Sequence, residues 1–167
     1  YNIGPVITGI GLAVVANSLA AIQKLVFEEH RCDMATLAKA LQANWNGYEE
    51  LRTAAKAAPK YGNDDDHVDG IAREIANHFY DEIHQYHDIF GSPFLTAFMG
   101  ISNYIPMGRV LGATPDGRCA GEPSSEGVSP YVGTDVSTPL AAMRSAAKLN
   151  QDVHSGGTLL NLRLDHN

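Results

Sequence analysis

The chain has 167 residues, is 44% hydrophobic, and sets 12 Lys plus Arg against 19 Asp plus Glu for a formal net charge of −7. That is enough apolar chain for one globular core, and without a basic cluster it argues against nucleic-acid binding. Two cysteines, Cys32 and Cys119, make no disulfide framework and fit a reducing cytoplasm.

Tyr1 to Ile22 carries no charge, but Gly4, Pro5, Gly9, Gly11 and Asn17 dilute it, and the basic start of a secretion signal is missing. It reads as a buried loop or strand leading into a buried helix, with no membrane span. The chain opens at Tyr1 inside an apolar pattern, as expected of a fragment. Asn2-Ile3-Gly4-Pro5 is expected to turn. A helix follows from Ala13 to about Glu29, with Val15, Leu19, Ile22 and Val26 as its core stripe.

Asp33 can cap the next helix by accepting free amide protons at its start. Met34, Leu37, Ala38, Leu41 and Trp45 form its apolar face, and Asn46-Gly47 closes it. A short helix spans roughly Tyr48 to Ala57, with Glu49 and Glu50 near its start and Lys56 near its end, the favourable order for the helix dipole. Pro59 stops it. Asp65 or Asp66 caps a helix from about His67 to Tyr86, whose stripe is Val68, Ile71, Ile75, Phe79 and Ile83. Phe94 to Ile105 is expected to hold one buried strand. Thr138 caps a helix beginning at Pro139 and packing through Leu140, Met143, Ala147 and Leu149. Gly156-Gly157 turns into a last strand, Thr158 to Leu164.

Between the buried strand and the Pro139 helix lies GATPDGRCAGEPSSEGVSPYVGTD, Gly112 to Asp135, with five glycines and three prolines. Glycine permits left-handed backbone and close approach, and proline fixes φ. A loop so punctuated between two ordered elements is specified by its residues and is a place for binding. Asp116 and Arg118 flank Gly117. The simplest use of this trio is a turn with a local ion pair or backbone hydrogen bonds, Arg118 holding two loop carbonyls together. Gly112 and Gly117 lack the lysine and the spacing of a phosphate cradle.

Other clusters read as surface. His78, Glu82, His84, His87 and Asp88 match no zinc or di-iron spacing, so a solvated helix face is expected and no metal ligand is assigned. Asp64-Asp65-Asp66 lacks the alternating ligands and closing glutamate of a calcium loop. It reads as capping plus charged surface, with at least one carboxylate turned to water. Arg118 would favour a Cys119 thiolate, but no histidine is near in sequence, and a passive thiol is the expectation for both cysteines.

Three blocks together resemble the glycyl radical enzymes, the group of pyruvate formate-lyase, glycerol and diol dehydratases and choline trimethylamine-lyase. The first is LAVVANSLAAIQKLVF with ANWNGY. The second is APKYGNDDD with VD. The third is the Gly112–Asp135 loop with PLAAMRSAAKL and GTLLN. The resemblance covers nearly the whole chain. It implies an α/β fold: a fragment of a ten-stranded α/β barrel of the glycyl radical enzyme type, predominantly helical with a few buried strands. Residues 1–167 would be part of a single pyruvate formate-lyase-like barrel domain. The strands would then find partners outside the chain.

The implied chemistry is radical. An activating enzyme, using S-adenosylmethionine and an iron–sulfur cluster, installs a glycyl radical. That radical generates a cysteine thiyl, which abstracts hydrogen from a small-molecule substrate. The family's Cys-x-Glu motif is absent: Cys32 precedes Asp33-Met34 and Cys119 precedes Ala120-Gly121. Arg109-Val110-Leu111-Gly112-Ala113 approaches the Arg-Val-x-Gly-Tyr radical motif but lacks the aromatic. Both essential segments are therefore expected outside the chain. The chain would carry no catalytic residue, bind no cofactor and be inactive alone. Its expected partners are the substrate, the activating enzyme and the remainder of the parent barrel, with a homodimer as an option.

The resemblance also puts GVSPYVGTD near the substrate cavity, with Ser129, Pro130, Tyr131, Gly133 and Thr134 as pocket candidates. Tyr131 either walls the pocket and donates a hydrogen bond or packs behind it. LAAM after Pro139 leans toward the dehydratase and lyase branches. Formate C-acyltransfer remains an alternative, as does a non-catalytic scaffold. A scaffold must close its apolar stripes on itself, whereas a slice of the large enzyme leaves apolar surface open.

Overall fold

The computed structural model describes residues 4–162. Tyr1, Asn2 and Ile3 of the expected first turn, and Arg163 and Leu164 of the expected last strand, lie outside the described residues. The described chain is mostly helical around a small open sheet. Strand β1 (Val6–Thr8) pairs in parallel with β2 (Leu95–Ala97), Ile7 opposite Thr96. A parallel pair requires a crossover, and here it contains four helices: α1 (Leu12–Ile22), α2 (Met34–Gln42), α3 (Glu49–Lys56) and α4 (Asp66–Ile83). After β2 come α5 (Tyr104–Val110), the long loop and α6 (Pro139–Ala147). This is the form of a mostly helical portion of a larger α/β barrel.

The helix starts follow the sequence. Asp33 Oδ1 accepts from the Thr36 amide at 2.7 Å, Asp65 Oδ1 from the His67 amide at 2.9 Å, and Thr138 Oγ1 from the Ala141 amide at 3.2 Å. Each satisfies an amide that the helix itself leaves unpaired. Helix α1 does not stop at Ile22. It continues through Gln23–Glu28 as a wider π-helical turn, a geometry often found at functional sites.

The buried faces differ from the expected stripes. On α1, Ala13, Ala16, Asn17 and Ala20 are buried, while Val15 and Leu19 stay 44% exposed. The small face lies in one core with Val68, Ala72 and Ala76 of α4, joined by Tyr61, Phe98 and Val128. Alanine faces let two helix backbones approach closely. Because α1 is uncharged and its only polar residues before Gln23, Asn17 and Ser18, are themselves buried, its period could not show which side faces inward. The same correction applies to α6: Ala141, Ala142, Ser145 and Ala146 are buried, whereas Leu140, Met143 and Ala147 are exposed. On α2, Leu37 and Ala40 are buried with Trp45, and Met34 and Ala38 are exposed. The stripe of α4 does contact the core through Val68, Ile71, Ile75 and Phe79.

Two further expectations change. The Phe94–Ile105 run yields a strand only to Ala97, then turns through Gly100–Asn103 into α5. Short apolar runs do not distinguish strand from helix. The last strand is reduced, among the described residues, to a parallel bridge between Thr158 and Phe98. Residues 158–161 instead divide their bonds. The Leu159 amide donates to the Phe98 carbonyl, while the Leu159 carbonyl accepts from the Val128 amide.

The histidines of α4 and its exit, His78, His84 and His87, are exposed, and no group of three metal-ligating side chains forms among the described residues. No described helix is long and apolar enough to cross a membrane.

His154 is the buried exception, 3% exposed. Its Nδ1 shares a hydrogen bond with Thr96 Oγ1 at 2.8 Å, and its ring meets Phe98 edge-on. Nε2 has no partner. Burial holds its pKa below the ordinary histidine value of about 6.5. The unfolded chain therefore binds the proton more readily, so stability is complete above that ordinary value and falls as pH drops below it. The thermal midpoint should fall between pH 7 and 5, and H154Q should flatten that slope.

Candidate functional site

The Gly112–Asp135 loop is anchored at two points, both on residues far away in sequence. The first anchor is the Asp-Gly-Arg turn. The Thr114 amide donates to the Arg118 carbonyl and the Gly117 amide to the Thr114 carbonyl, closing a tight hairpin. Gly117 sits at φ 97, and a Cβ there would stand 2.6 Å from Lys56 Cγ. Glycine is required for both reasons. Arg118 is 2% exposed. Its Nε donates to Thr114 Oγ1, and its two terminal nitrogens donate to the carbonyls of Gly112, Cys119 and Glu122. Asp116 accepts from Thr114 and the Arg118 amide. The guanidinium thus gathers three loop carbonyls. The turn after α2 and helix α3 hold the hairpin from outside: Trp45 Nε1 donates to the Arg118 carbonyl at 3.3 Å and Arg52 Nε to the Gly117 carbonyl at 2.9 Å.

The second anchor is Tyr61-Gly62-Asn63, in the turn between α3 and α4. Tyr61 is fully buried, and its hydroxyl donates to the Val128 carbonyl at 2.9 Å. Its amide donates to Asn17 Oδ1 at 2.8 Å, tying the turn to α1. Gly62, at φ 99, lies against Pro130, where a Cβ would be 2.3 Å from Pro130 Cγ. Asn63 Nδ2 donates to the Thr134 carbonyl at 2.8 Å, and its Oδ1 accepts from the Ser137 amide. Three consecutive residues therefore grip Val128 to Ser137.

Two cavities flank the gripped segment. The larger, about 730 Å³, lies between the end of α3, the Asp-Gly-Arg hairpin and residues 131–136, and includes Tyr131, Gly133, Thr134, Asp116, Gly117 and Arg118. The smaller, about 310 Å³, takes in Ser129, Pro130 and Gly133 with Ser124, Glu126 and Asn161. Ser129, Pro130, Tyr131, Gly133 and Thr134 thus form a partition. Ser129 Oγ is committed to the Asn161 amide at 2.9 Å. Thr134 Oγ1 donates to the Tyr131 carbonyl at 2.8 Å and closes a turn at Gly133. The Tyr131 phenol is half-buried, and burial pushes its pKa up, with Glu122 and Asp116 adding to the effect. It is therefore neutral at pH 7 and able to donate a hydrogen bond.

Sequence reasoning did not assign roles to Lys60, Tyr61, Gly62 or Asn63. The KYGN run was visible as a block, but its contacts span 67 to 74 positions. Burial, with the charge of Asp33, pushes the Cys32 thiol up. Gly112 is exposed in this chain and has open space around it.

The grip predicts a local effect. G62A forces Pro130 to move and strains a left-handed backbone, at a cost of about 1–3 kcal/mol. Hydrogen exchange over residues 128–137 should accelerate, while exchange in α2 stays unchanged.

A family model described as Pyruvate formate lyase-like matches residues 1–108, and one described as Glycine radical matches residues 124–167. Across 158 residues the chain is 41% identical to trans-4-hydroxy-L-proline dehydratase of Clostridioides difficile, covering 94% of this chain and 20% of that protein. It is 39% identical over 135 residues to isethionate sulfite-lyase of Bilophila wadsworthia, covering 81% and 16%. Among solved structures, the glycerol-bound B12-independent glycerol dehydratase from Clostridium butyricum superposes with a TM-score of 0.90 at 40% identity, covering 93% of this chain and 20% of that one. The chain spans about a fifth of the length of the relatives it matches.

Proposed function

The chain belongs to the glycyl radical enzymes, in the pyruvate formate-lyase-like group, and from that membership we propose that it serves as the substrate-loop segment of a dehydratase or C–O/C–N lyase acting on a small hydroxylated molecule. The observation that carries this reading is the partition at Ser129–Thr134, fixed from behind by Tyr61, Gly62 and Asn63 and lined on both sides by cavity. Rigid support of a loop is what a pocket wall needs. Tyr131 supplies a neutral donor, and the backbone around Gly133 presents no side chain.

In such an enzyme a thiyl radical removes hydrogen beside a hydroxyl, and water or another leaving group departs from the neighbouring carbon. This chain's residues would orient the substrate and exclude water. The chain is inactive alone on this reading, with its cysteine and its radical glycine supplied by flanking segments. A radical S-adenosylmethionine activating enzyme, the rest of the barrel and a second subunit are the partners it implies, and the cytoplasm is its compartment.

The names of the relatives support the dehydratase and lyase branch. The apolar surface supports a slice over a free-standing scaffold. Ile89 is 93% exposed, Val110 80% and Val136 84%, alongside Val15, Leu19, Leu140 and Met143, the open apolar side chains expected of a slice. Sequencing the parent reading frame on both sides tests the proposal. A Cys-x-Glu motif upstream and an Arg-Val-x-Gly-Tyr type motif downstream are expected. A frame lacking both refutes radical catalysis and leaves the scaffold.

A further inference from the structure

The larger cavity is lined by three lysines and Arg118 against three carboxylates, Asp65, Asp116 and Glu122. Lys24 reaches it from the π-helical turn after α1, Lys56 from the last turn of α3, and Lys60 from the turn that follows. Those carboxylates are held in place by neutral donors, and among the described residues none forms an ion pair with the lysines. Asp65 caps α4, Asp116 accepts from Thr114 and the Arg118 amide, and Glu122 accepts from the Cys119 amide. Arg118 is occupied by loop carbonyls.

Lys60 is only 9% exposed, yet its Nζ meets two neutral acceptors, the carbonyls of Ala55 at 2.7 Å and Ala58 at 2.9 Å. An ammonium has three donors, so one remains. Among the described residues neither Lys56 nor Lys60 has an ion pair, and the Lys24 contact to Glu29 is long, at 3.7 Å, on a carboxylate already held by Arg31. Burial lowers the Lys60 pKa, Asp116 opposes this and Lys24 adds to it, leaving it at about 8. Asp116 attracts Lys60 without forming an ion pair with it, a buried cation so loosely compensated is costly, and an anion seated among the three ammonium groups would relieve their mutual repulsion.

We propose that this cavity binds a small molecule through an oxyanion head (carboxylate, sulfonate or phosphate) seated among Lys24, Lys56 and Lys60, with its remainder against Tyr131 and Val132. The volume of about 730 Å³ suits such a ligand. The site is for binding, and it stands whether or not the chain's parent performs radical chemistry. Because Tyr131 to Thr134 form one wall, an occupant would also press on the partition loop.

The test is trace acetylation of the full-length parent across about pH 6 to 10, with Lys60 read by peptide mass spectrometry in the presence of inorganic phosphate, sulfate or malonate. Lys60 should label early in the pH series, and at least one anion should protect it saturably. K60Q removes bonds that hold the turn and is a poor probe. K24Q/K56Q leaves those bonds in place and should weaken protection about tenfold or more. Protection by phosphate and sulfate alone identifies a tetrahedral head, and by malonate a carboxylate. The proposal is overturned by no protection at about 10 mM of any of the three, or by equal protection in K24Q/K56Q. It is also overturned if Lys60 resists labelling without added anion, because a carboxylate elsewhere in the parent then fills the cavity.

Discussion

Replacing Arg118 with methionine is expected to release the hairpin from Gly112 to Glu122 and cost on the order of 3–5 kcal/mol. The side chain is 2% exposed and gathers three loop carbonyls in part-buried hydrogen bonds. Each unsatisfied buried acceptor costs about 1–3 kcal/mol, and relaxation recovers part of the sum. R118K should fare little better, since three donors on a point charge cannot reproduce a planar fork. Hydrogen exchange in the parent should show residues 112–122 opening first, with Trp45 and Arg52 losing their acceptors in the hairpin. Unchanged exchange there would mean that the turn after α2 and helix α3 hold the loop without the guanidinium.

K148M is the second large effect. Lys148 Nζ lies 2.7 Å from Asp64, 2.7 Å from Asp66 and 2.8 Å from Asp69. Asp66 is 94% exposed, as mutual repulsion among the three adjacent aspartates anticipates, but Asp69 is fully buried. Its other partner is Ser145 Oγ at 3.0 Å. Without Lys148, a buried carboxylate between α4 and α6 loses its counter-ion, at about 3–5 kcal/mol. The double variant K148M/D69N removes the stranded charge and should regain a large part of that loss. If it is no more stable than K148M, the damage comes from lost packing of the lysine stem. The three carboxylates hold the Lys148 ammonium pKa above its ordinary value. Its stabilisation is therefore complete below that ordinary value and lost only as pH rises through the higher folded one.

Caps and punctuation were legible in the sequence because their physics is local. Asp33, Asp65 and Thr138 each satisfy an amide two or three positions away. Glycine and proline marked the loop, and Arg118 does gather carbonyls. Helix faces were less legible. In α1 and α6 alanine alternates with larger apolar residues, and only the approach of α4 decides that the small side faces in. The exposed large side chains then await contacts that this chain does not supply. Long-range tethers were illegible. Nothing within Tyr61-Gly62-Asn63 announces that it grips Val128, Pro130 and Thr134, and Lys60 looked like one more polar residue before a turn. The resemblance grouped those residues into a block without saying what they touch.

Electron paramagnetic resonance of the full-length parent, after anaerobic incubation with its activating enzyme and S-adenosylmethionine, tests the central reading most directly. A carbon-centred radical split by one hydrogen is expected, and growth on glycine deuterated at Cα should collapse that splitting. A folded parent that shows no such signal beside a competent activating enzyme would contradict radical catalysis. The chain would then be a segment of a barrel put to another use.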